Sequence, residues 1–217
     1  IGNLKFCETK SQKVTNLEKS FLKSIKKRLI FCASSTHPRE ENEIARTHLI
    51  LKKKYKSLLT IIIPRHTDRV KEIYDELISL NLKTIIRTSN KKILNNTDIY
   101  LVNTYGETKK FFNISKIVFI GGSIINHGGQ NPIEPARFGL NILHGPNVQN
   151  FKDIYHLFNK SKIAHKFINT KQLINISDKL LSSKKNKKLN LAKMGNLILK
   201  KSIIEIDKVL NNEPKKT

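Results

Sequence analysis

Leu58 to Ile63 form six consecutive residues, Leu-Leu-Thr-Ile-Ile-Ile, that offer no alternating polar face before Pro64 closes the run. A strand with one wet face alternates polar and apolar side chains, so an uninterrupted run must be covered on both sides. The surrounding sequence supplies the cover. Leu29–Ala33 reads as a first strand, and a helix over Arg39–Lys56 follows it, with Ile44, His48, Leu51 and Tyr55 on one side. A second helix is expected over Asp68–Leu80, capped by Asp68, with Val70, Ile73, Tyr74, Leu77 and Ile78 at helical spacing. Further strands are expected at Lys83–Arg87, Asp98–Val102, Ile117–Ile120, Ile142–Leu143 and Ala164–Ile168. A helix that buries Phe151, Ile154, Tyr155 and Phe158 separates the last two, and helices near Thr170–Ser182 and Leu189–Leu210 end the series. Strands and helices alternating at this rhythm imply right-handed crossovers and a mostly parallel sheet. The expected fold is α/β: one Rossmann-like domain over residues 16–211, helices on both faces, with a junction segment at 1–15 and a loose tail at 212–217.

In an open parallel sheet, ligands bind beyond the carboxyl ends of the strands. The strand-to-helix loops there carry residues that folding alone does not require. Ser34-Ser35-Thr36-His37-Pro38-Arg39-Glu40-Glu41 follows the first strand, and Pro64-Arg65-His66-Thr67-Asp68 the second. Asn103-Thr104-Tyr105-Gly106-Glu107 follows the fourth, and Gly121-Gly122-Ser123 through His127-Gly128-Gly129-Gln130-Asn131-Pro132-Ile133-Glu134-Pro135 the fifth. Gly145-Pro146-Asn147, leading to Asn150, follows the sixth. Turns at the opposite edge, such as Asn81-Leu82 and Asn95-Asn96-Thr97, are bland. The candidate site therefore lies at the carboxyl edge.

Within it, Gly121-Gly122 and Gly128-Gly129 match neither a dinucleotide fingerprint nor a phosphate-binding loop with its Lys-Ser/Thr ending. Glycine pairs also serve sharp turns. The continuation says more. Pro132 suits the first position of a helix capped by Asn131, whose free N–H groups would face a phosphate or carboxylate. Glu134 in the first turn would accept from ribose hydroxyls, or simply complement the helix end. Arg65, ending a buried strand, would make a bidentate phosphate contact, or pair with Asp68 or Glu107. His37, His66 and His127 read as structural or orienting rings, and no metal-ligating pattern accompanies them. Glu40 and Glu41 read as first-turn acids. The hydroxyls of Ser34, Ser35 and Thr36 lack a partnered His and Asp, so no nucleophile is assigned.

Charge and cysteines bound the setting. Forty-one Lys and Arg against 17 Asp and Glu leave a formal net charge of +24. Such an excess fits first a compositional preference for Lys, Ile and Asn, then attraction to an anionic membrane surface, and last a nucleic acid. Lysines are spread along the chain, with short runs at Lys52–Lys54 and Lys184–Lys188, and no aromatic-interleaved basic stripe favours nucleic acid. Cys7 and Cys32 make no disulfide framework or zinc pattern; Cys32 sits in an apolar run as a small buried hydrophobe. No stretch approaches a membrane-spanning length, no signal peptide is read, and a first residue other than Met suggests part of a longer protein.

At the loop residues the chain resembles a known family. Gly2-Asn3-Leu4-Lys5-Phe6, Ala33 to Pro38, Ile63-Pro64-Arg65-His66, Tyr105-Gly106-Glu107, and Gly121 through Pro135 are similar, in order, to the 3-deoxy-D-manno-octulosonic acid (Kdo) transferases. The segment His127-Gly128-Gly129-Gln130-Asn131-Pro132, followed by Glu134-Pro135, is the most specific part. The resemblance implies a GT-B glycosyltransferase built of two Rossmann-like domains, this chain being the C-terminal one. It implies CMP-Kdo as donor, a lipid A precursor as acceptor, work at the cytoplasmic face of the inner membrane, and no metal or other cofactor. It places CMP contacts at Pro64, Arg65, Tyr105, Gly106, Glu107, Asn131, Pro132, Ile133 and Glu134. Ser34, Ser35, Thr36, Gly122, Ser123, His127, Gly129 and Gln130 become candidates for contact with the donor sugar or for shaping the loops. The catalytic base belongs to the N-terminal domain of such enzymes, so none is expected here. Two departures stand out: Tyr105 where the family usually has Met, which leaves its backbone to meet the base, and Arg39 where Gly is common. Without the resemblance, Tyr105 reads as a packing residue. A UDP-sugar transferase or a basic nucleic-acid-binding protein is the alternative reading.

Overall fold

The computed structural model describes residues 16–89 and 91–183, all within one compact unit that spans Val14–Lys187. The helix expected at Leu189–Leu210, the segment 1–15 with Gly2 to Phe6 and Cys7, and the tail lie outside the described residues. In chain order the elements are α1 (Lys19–Ile25), β1 (Leu29–Thr36), α2 (Glu40–Lys54), β2 (Leu58–Pro64), α3 (Val70–Ser79), β3 (Thr84–Ile86) and β4 (Ile99–Leu101). They continue with α4 (Thr108–Phe112), β5 (Ile117–Ile120), α5 (Ile133–Arg137), β6 (Asn141–His144), α6 (Lys152–Lys160), β7 (Ala164–Lys166) and α7 (Thr170–Ser182).

The seven strands form one sheet in the order β3-β4-β2-β1-β5-β6-β7, and every pairing is parallel. All seven residues of β2 are buried, as its unbroken apolar run requires. Alternate strand residues feed two layers. Phe31, Ala33, Leu58, Ile62 and Phe119 meet Ile44, Ala45, Ile73, Leu77, Leu173 and Leu180 from α2, α3 and α7. On the other face, Tyr100 packs with Phe21 of α1 and Phe111 of α4 in a cluster of tilted rings.

Some local expectations shift. Asp68 does not cap α3. A single 3₁₀ turn over Thr67–Arg69 precedes that helix, and no side-chain cap bond forms at either start. Ile78 is 44% exposed despite its helical spacing, because the buried face of α3 is set by Val70, Ile73 and Leu77. Phe151 falls in a 3₁₀ turn ahead of α6, whose buried residues are Ile154, Tyr155 and Phe158. Helix α7 begins where expected, with Asn169 accepting from Gln172 N at 2.9 Å.

The amino edge of the sheet is not as bland as its turns suggest. Arg28 donates to four carbonyls, those of Ser57, Leu58, Leu94 and Thr97. His48, fully buried, bonds Thr60 Oγ1 at 2.8 Å and lies 3.5 Å from Asp98, which also pairs with Lys52. Apart from His48 Nε2, which faces Asp98 without a hydrogen bond, these polar groups are spent on one another and on the backbone. The carboxyl edge differs in holding an exposed arginine, Arg65, with no side-chain partner among the described residues.

Candidate functional site

Strand order explains why the carboxyl-edge loops meet. The chain runs outward from β1 through β2, then returns past β1 to lay down β5 on its other side. Loops after β1 and β5 consequently diverge to opposite faces, and a crevice opens between them. Only glycine permits their approach at the strand ends: a Cβ on Gly121 would stand 2.1 Å from Ser35 O. Ser35 takes φ 55 at the register shift between Ser34 and Thr36, and Arg39 takes φ 77, a left-handed conformation that a glycine enters without strain. Arg39 thus holds a glycine-like backbone at the position where the resemblance departs.

One acid ties the crevice together. Glu40, fully buried at the start of α2, accepts from four backbone N–H groups: His37 at 3.0 Å, Gly122 at 2.7 Å, and Ser123 and Ile124 at 2.9 Å each. Burial pushes its carboxyl above the usual range and the four amides pull it back. The site offers it donors only, so the ionised form is the one that fits. Next to it, Glu41 pairs with Arg69 at 3.0 Å. Both acids do sit in the first turn of α2, but the span of Glu40 across 84 residues to Ile124 has no signature in local sequence.

The remaining loops are laced to this centre. Arg65 N donates to Thr36 O at 2.9 Å, joining the loops after β2 and β1. Asn150 N and Nδ2 donate to the carbonyls of Gly128 and His127, and Asn147 Nδ2 donates to Ile124 O, joining the loops after β6 and β5. Tyr155 Oη reaches Gln130 O at 3.0 Å, and Gly129 N donates to Gly122 O at 2.8 Å.

The side chains divide into open and occupied. Arg65 is exposed and makes no side-chain hydrogen bond or ion pair among the described residues, so neither Asp68 nor Glu107 holds it. Pro64 is buried at the end of β2 and aims that loop. Tyr105 is 74% exposed, which overturns its reading as a packing residue, and Gly106 beside it takes φ 76. Glu107 is occupied. Arg87 grips both its oxygens at 3.1 Å, Lys110 bonds it at 2.9 Å, and the Thr104 hydroxyl donates to it. Chiefly the Arg87 guanidinium holds the Glu107 carboxyl down to about 2. Arg87, which the sequence reading passed over, also pairs with Glu18 at 2.6 Å, ahead of α1.

At the fifth loop, α5 starts at Ile133, one residue later than expected, and Pro132 occupies the capping position. Asn131 still does the capping work: its Oδ1 accepts from Ile133 N at 3.0 Å. The helix has only five residues, so any anion here would be met by first-turn N–H groups rather than by a long helix dipole. Glu134 pairs with Lys109 of α4 at 3.2 Å, which brings the loops after β4 and β5 side by side. Ser34, Thr36 and Ser123 are buried, and Ser123 Oγ is bonded to Ile120 O and Gly145 N. Thr36 Oγ1 is buried without a hydrogen-bond partner among the described residues, and burial keeps all three hydroxyls from lining an open cleft. A cavity of about 570 Å³ lies to one side, between α1 and the loop after β3, lined in part by Phe21, Arg87 and Tyr100.

Among the described residues no group of three or more His, Cys, Asp or Glu could hold a metal, and no helix is long and apolar enough to cross a membrane. Cys32 is a free, buried thiol pushed up to about 12 by burial.

No protein-family model matches the chain. It is 36% identical over 130 residues to a 3-deoxy-D-manno-octulosonic acid transferase of Haemophilus influenzae, covering 60% of this chain and 30% of that protein. To the transferase of the same name from Rickettsia bellii it is 33% identical over 191 residues, covering 87% and 45%. The chain thus spans less than half the length of these relatives. Its fold matches the crystal structure of the C-terminal CMP-Kdo binding domain of WaaA from Acinetobacter baumannii with a TM-score of 0.71 and 26% identity, over 81% of this chain and 91% of that one. The chain is therefore a Rossmann-like domain of the GT-B kind, similar in sequence and in fold to the C-terminal domain of the 3-deoxy-D-manno-octulosonic acid transferases.

Proposed function

We propose that this chain is the donor-binding domain of a glycosyltransferase that uses CMP-Kdo. The observation that supports it most is the gathering at one crevice of the loops after β2, β4 and β5, on which the resemblance sets its nucleotide contacts, beside the loop after β1. In this reading Arg65, aimed by Pro64, takes the CMP phosphate together with the N–H groups that follow Asn131 and Pro132, around Ile133. Glu134 accepts from the ribose hydroxyls, exchanging its contact with Lys109 for them. The backbone of Tyr105 and Gly106 meets the cytosine. Glu107, held by Arg87, keeps that loop in place. The donor sugar lies towards Gly122, His127, Gly129 and Gln130, above the loop of Ser34, Ser35 and Thr36.

The chemistry follows from the ligand. A hydroxyl of the lipid A precursor attacks the anomeric carbon, the bond from that carbon to the phosphate oxygen breaks, and CMP leaves with the electron pair. Arg65 and the N–H groups near Ile133 oppose the charge that grows on the departing phosphate. The hydroxyl proton goes to a base that we assign to another domain of the full-length enzyme. That enzyme works at the cytoplasmic face of the inner membrane, where the net charge of +24 favours contact with anionic lipid. The 217-residue chain holds donor and does not transfer sugar alone.

Isothermal titration of the chain with CMP and UDP checks this reading. We expect CMP to bind and UDP to bind at least about tenfold more weakly, a difference of roughly 1.4 kcal/mol. A preference for UDP, or Kdo transfer by this chain on its own, would contradict it.

A further inference from the structure

Three histidines from three loops meet at the centre of the crevice. His37 comes from the loop after β1, His66 from the loop after β2, and His127 from the loop after β5. The rings of His37 and His127 pack at a 42° tilt with centroids 4.2 Å apart, and His66 stands edge-on to His37 at 6.1 Å. His37 is 6% exposed, and its Nε2 is buried with no hydrogen-bond partner among the described residues. A phenylalanine would stack as well without a buried polar atom left unmet, so packing does not account for an imidazole here. Facing the rings is Gly122. A Cβ there would stand 3.0 Å from His127 Cδ2 and 3.4 Å from His37 Nε2, so glycine is what lets the backbone pass this close to the two rings.

The charge around the cluster has one sign on its open side. Arg65 is exposed there, with Arg69 behind it paired to Glu41. The acid beneath, Glu40, is saturated by its four amides. Imidazoles beside an exposed guanidinium, with both nearby acids already engaged, suit an anion.

We propose that His37, His66 and His127 receive the carboxylate of the donor sugar and so select an ulosonic acid over a neutral sugar. This rests on the reading of the chain as a CMP-Kdo-binding domain. In an ulosonic acid the carboxylate is bonded to the anomeric carbon, which also carries the phosphate oxygen. The two anions are therefore close neighbours, as are Arg65 and the histidines. His66 and His127 are the exposed rings and meet the carboxylate first; rotation of His127 uncovers His37 Nε2. A neutral sugar has hydrogen where the carboxylate would be and leaves that nitrogen unmet.

Protonation should follow the ligand. Burial first, then the neighbouring His127, His66, Arg65 and Arg69, hold His37 down to about 4. Glu40 and Glu41 are the nearby acids, already engaged. An anion placed beside the ring raises its pKa, so binding takes up a proton and strengthens as pH falls.

The test titrates the 217-residue chain with CMP and with CMP-Kdo between pH 5.5 and pH 7.5, as wild type, His127→Ala and His37→Gln. In wild type, CMP-Kdo should bind roughly tenfold or more tightly than CMP, with the margin widening towards pH 5.5. His127→Ala, at an exposed ring, should remove most of that margin while CMP affinity stays within about twofold. His37→Gln, which retains an N–H group, should keep part of it. Equal affinities for the two ligands in wild type, or equal losses of both in His127→Ala, would overturn the inference and leave the CMP reading intact. No binding of CMP by wild type would overturn that reading, and this inference with it.

Discussion

Glu40 and Arg65 both stand just past the end of a central strand, and their surroundings give them opposite tasks. The carboxylate is buried under four amides, and the guanidinium is exposed with nothing to hold. Glu40→Gln would turn an N–H group of its own towards those donors and leave some unmet. That should cost on the order of 3 kcal/mol, read as a fall of about 10 °C in Tm. Arg65→Ala should leave Tm nearly unchanged and weaken CMP by about 10- to 100-fold, the value of one charge-assisted hydrogen bond. Thermal melts and titrations of both variants separate the two roles. A stable Glu40→Gln, or an Arg65→Ala that melts early and binds CMP normally, would reverse the assignment. Arg65 was legible in sequence because an arginine ending an apolar run has no packing reason to be there. Glu40 was legible only as a first-turn acid, since three of the four amides it serves lie more than 80 residues on.

Among the elements, long apolar runs and helices of three turns or more were readable, because burial writes itself into their periodicity. β2, α2 and α7 fall within two residues of expectation. The three- and four-residue strands were also found, from their apolar residues, but the short helices were not. α1, α4 and α5 have seven, five and five residues, too few for a 3.6-residue period to stand out. α5 was reached by its capping chemistry instead, one residue early. Its start remains the place where phosphate recognition can be separated from sugar recognition. Asn131→Ala loses the bond to Ile133 N and should cost about 1 kcal/mol of stability. Because that bond aligns the N–H groups assigned to the phosphate, the variant should weaken CMP more than cytidine. Titrating both ligands against this one variant cancels the stability loss. Equal effects on cytidine and CMP would mean that this turn does not hold the phosphate.

For the whole molecule, fold class was legible and strand order was not. Nothing local tells β4 to lie between β3 and β2, or β5 to return beside β1. Yet that return creates the crevice, by bringing Gly121 against Ser35 and the amides of Gly122, Ser123 and Ile124 onto Glu40. Polar residues at the two edges of the sheet are also told apart only in three dimensions. The Arg28 guanidinium at the amino edge is fully spent on carbonyls and His48 faces Thr60 and Asp98, although its Nε2 makes no hydrogen bond, whereas Arg65 at the carboxyl edge is exposed without a side-chain partner among the described residues. The central claim is that the carboxyl edge of the sheet holds CMP, and backbone amide chemical shifts of the labelled chain titrated with CMP test it most directly. Shifts should move at Arg65, at Tyr105 to Glu107, at Gly122 and at Asn131, Ile133 and Glu134, and stay still around Arg28, His48 and Asp98. Shifts confined to the cavity between α1 and the loop after β3, or no shifts at millimolar CMP, would contradict the account.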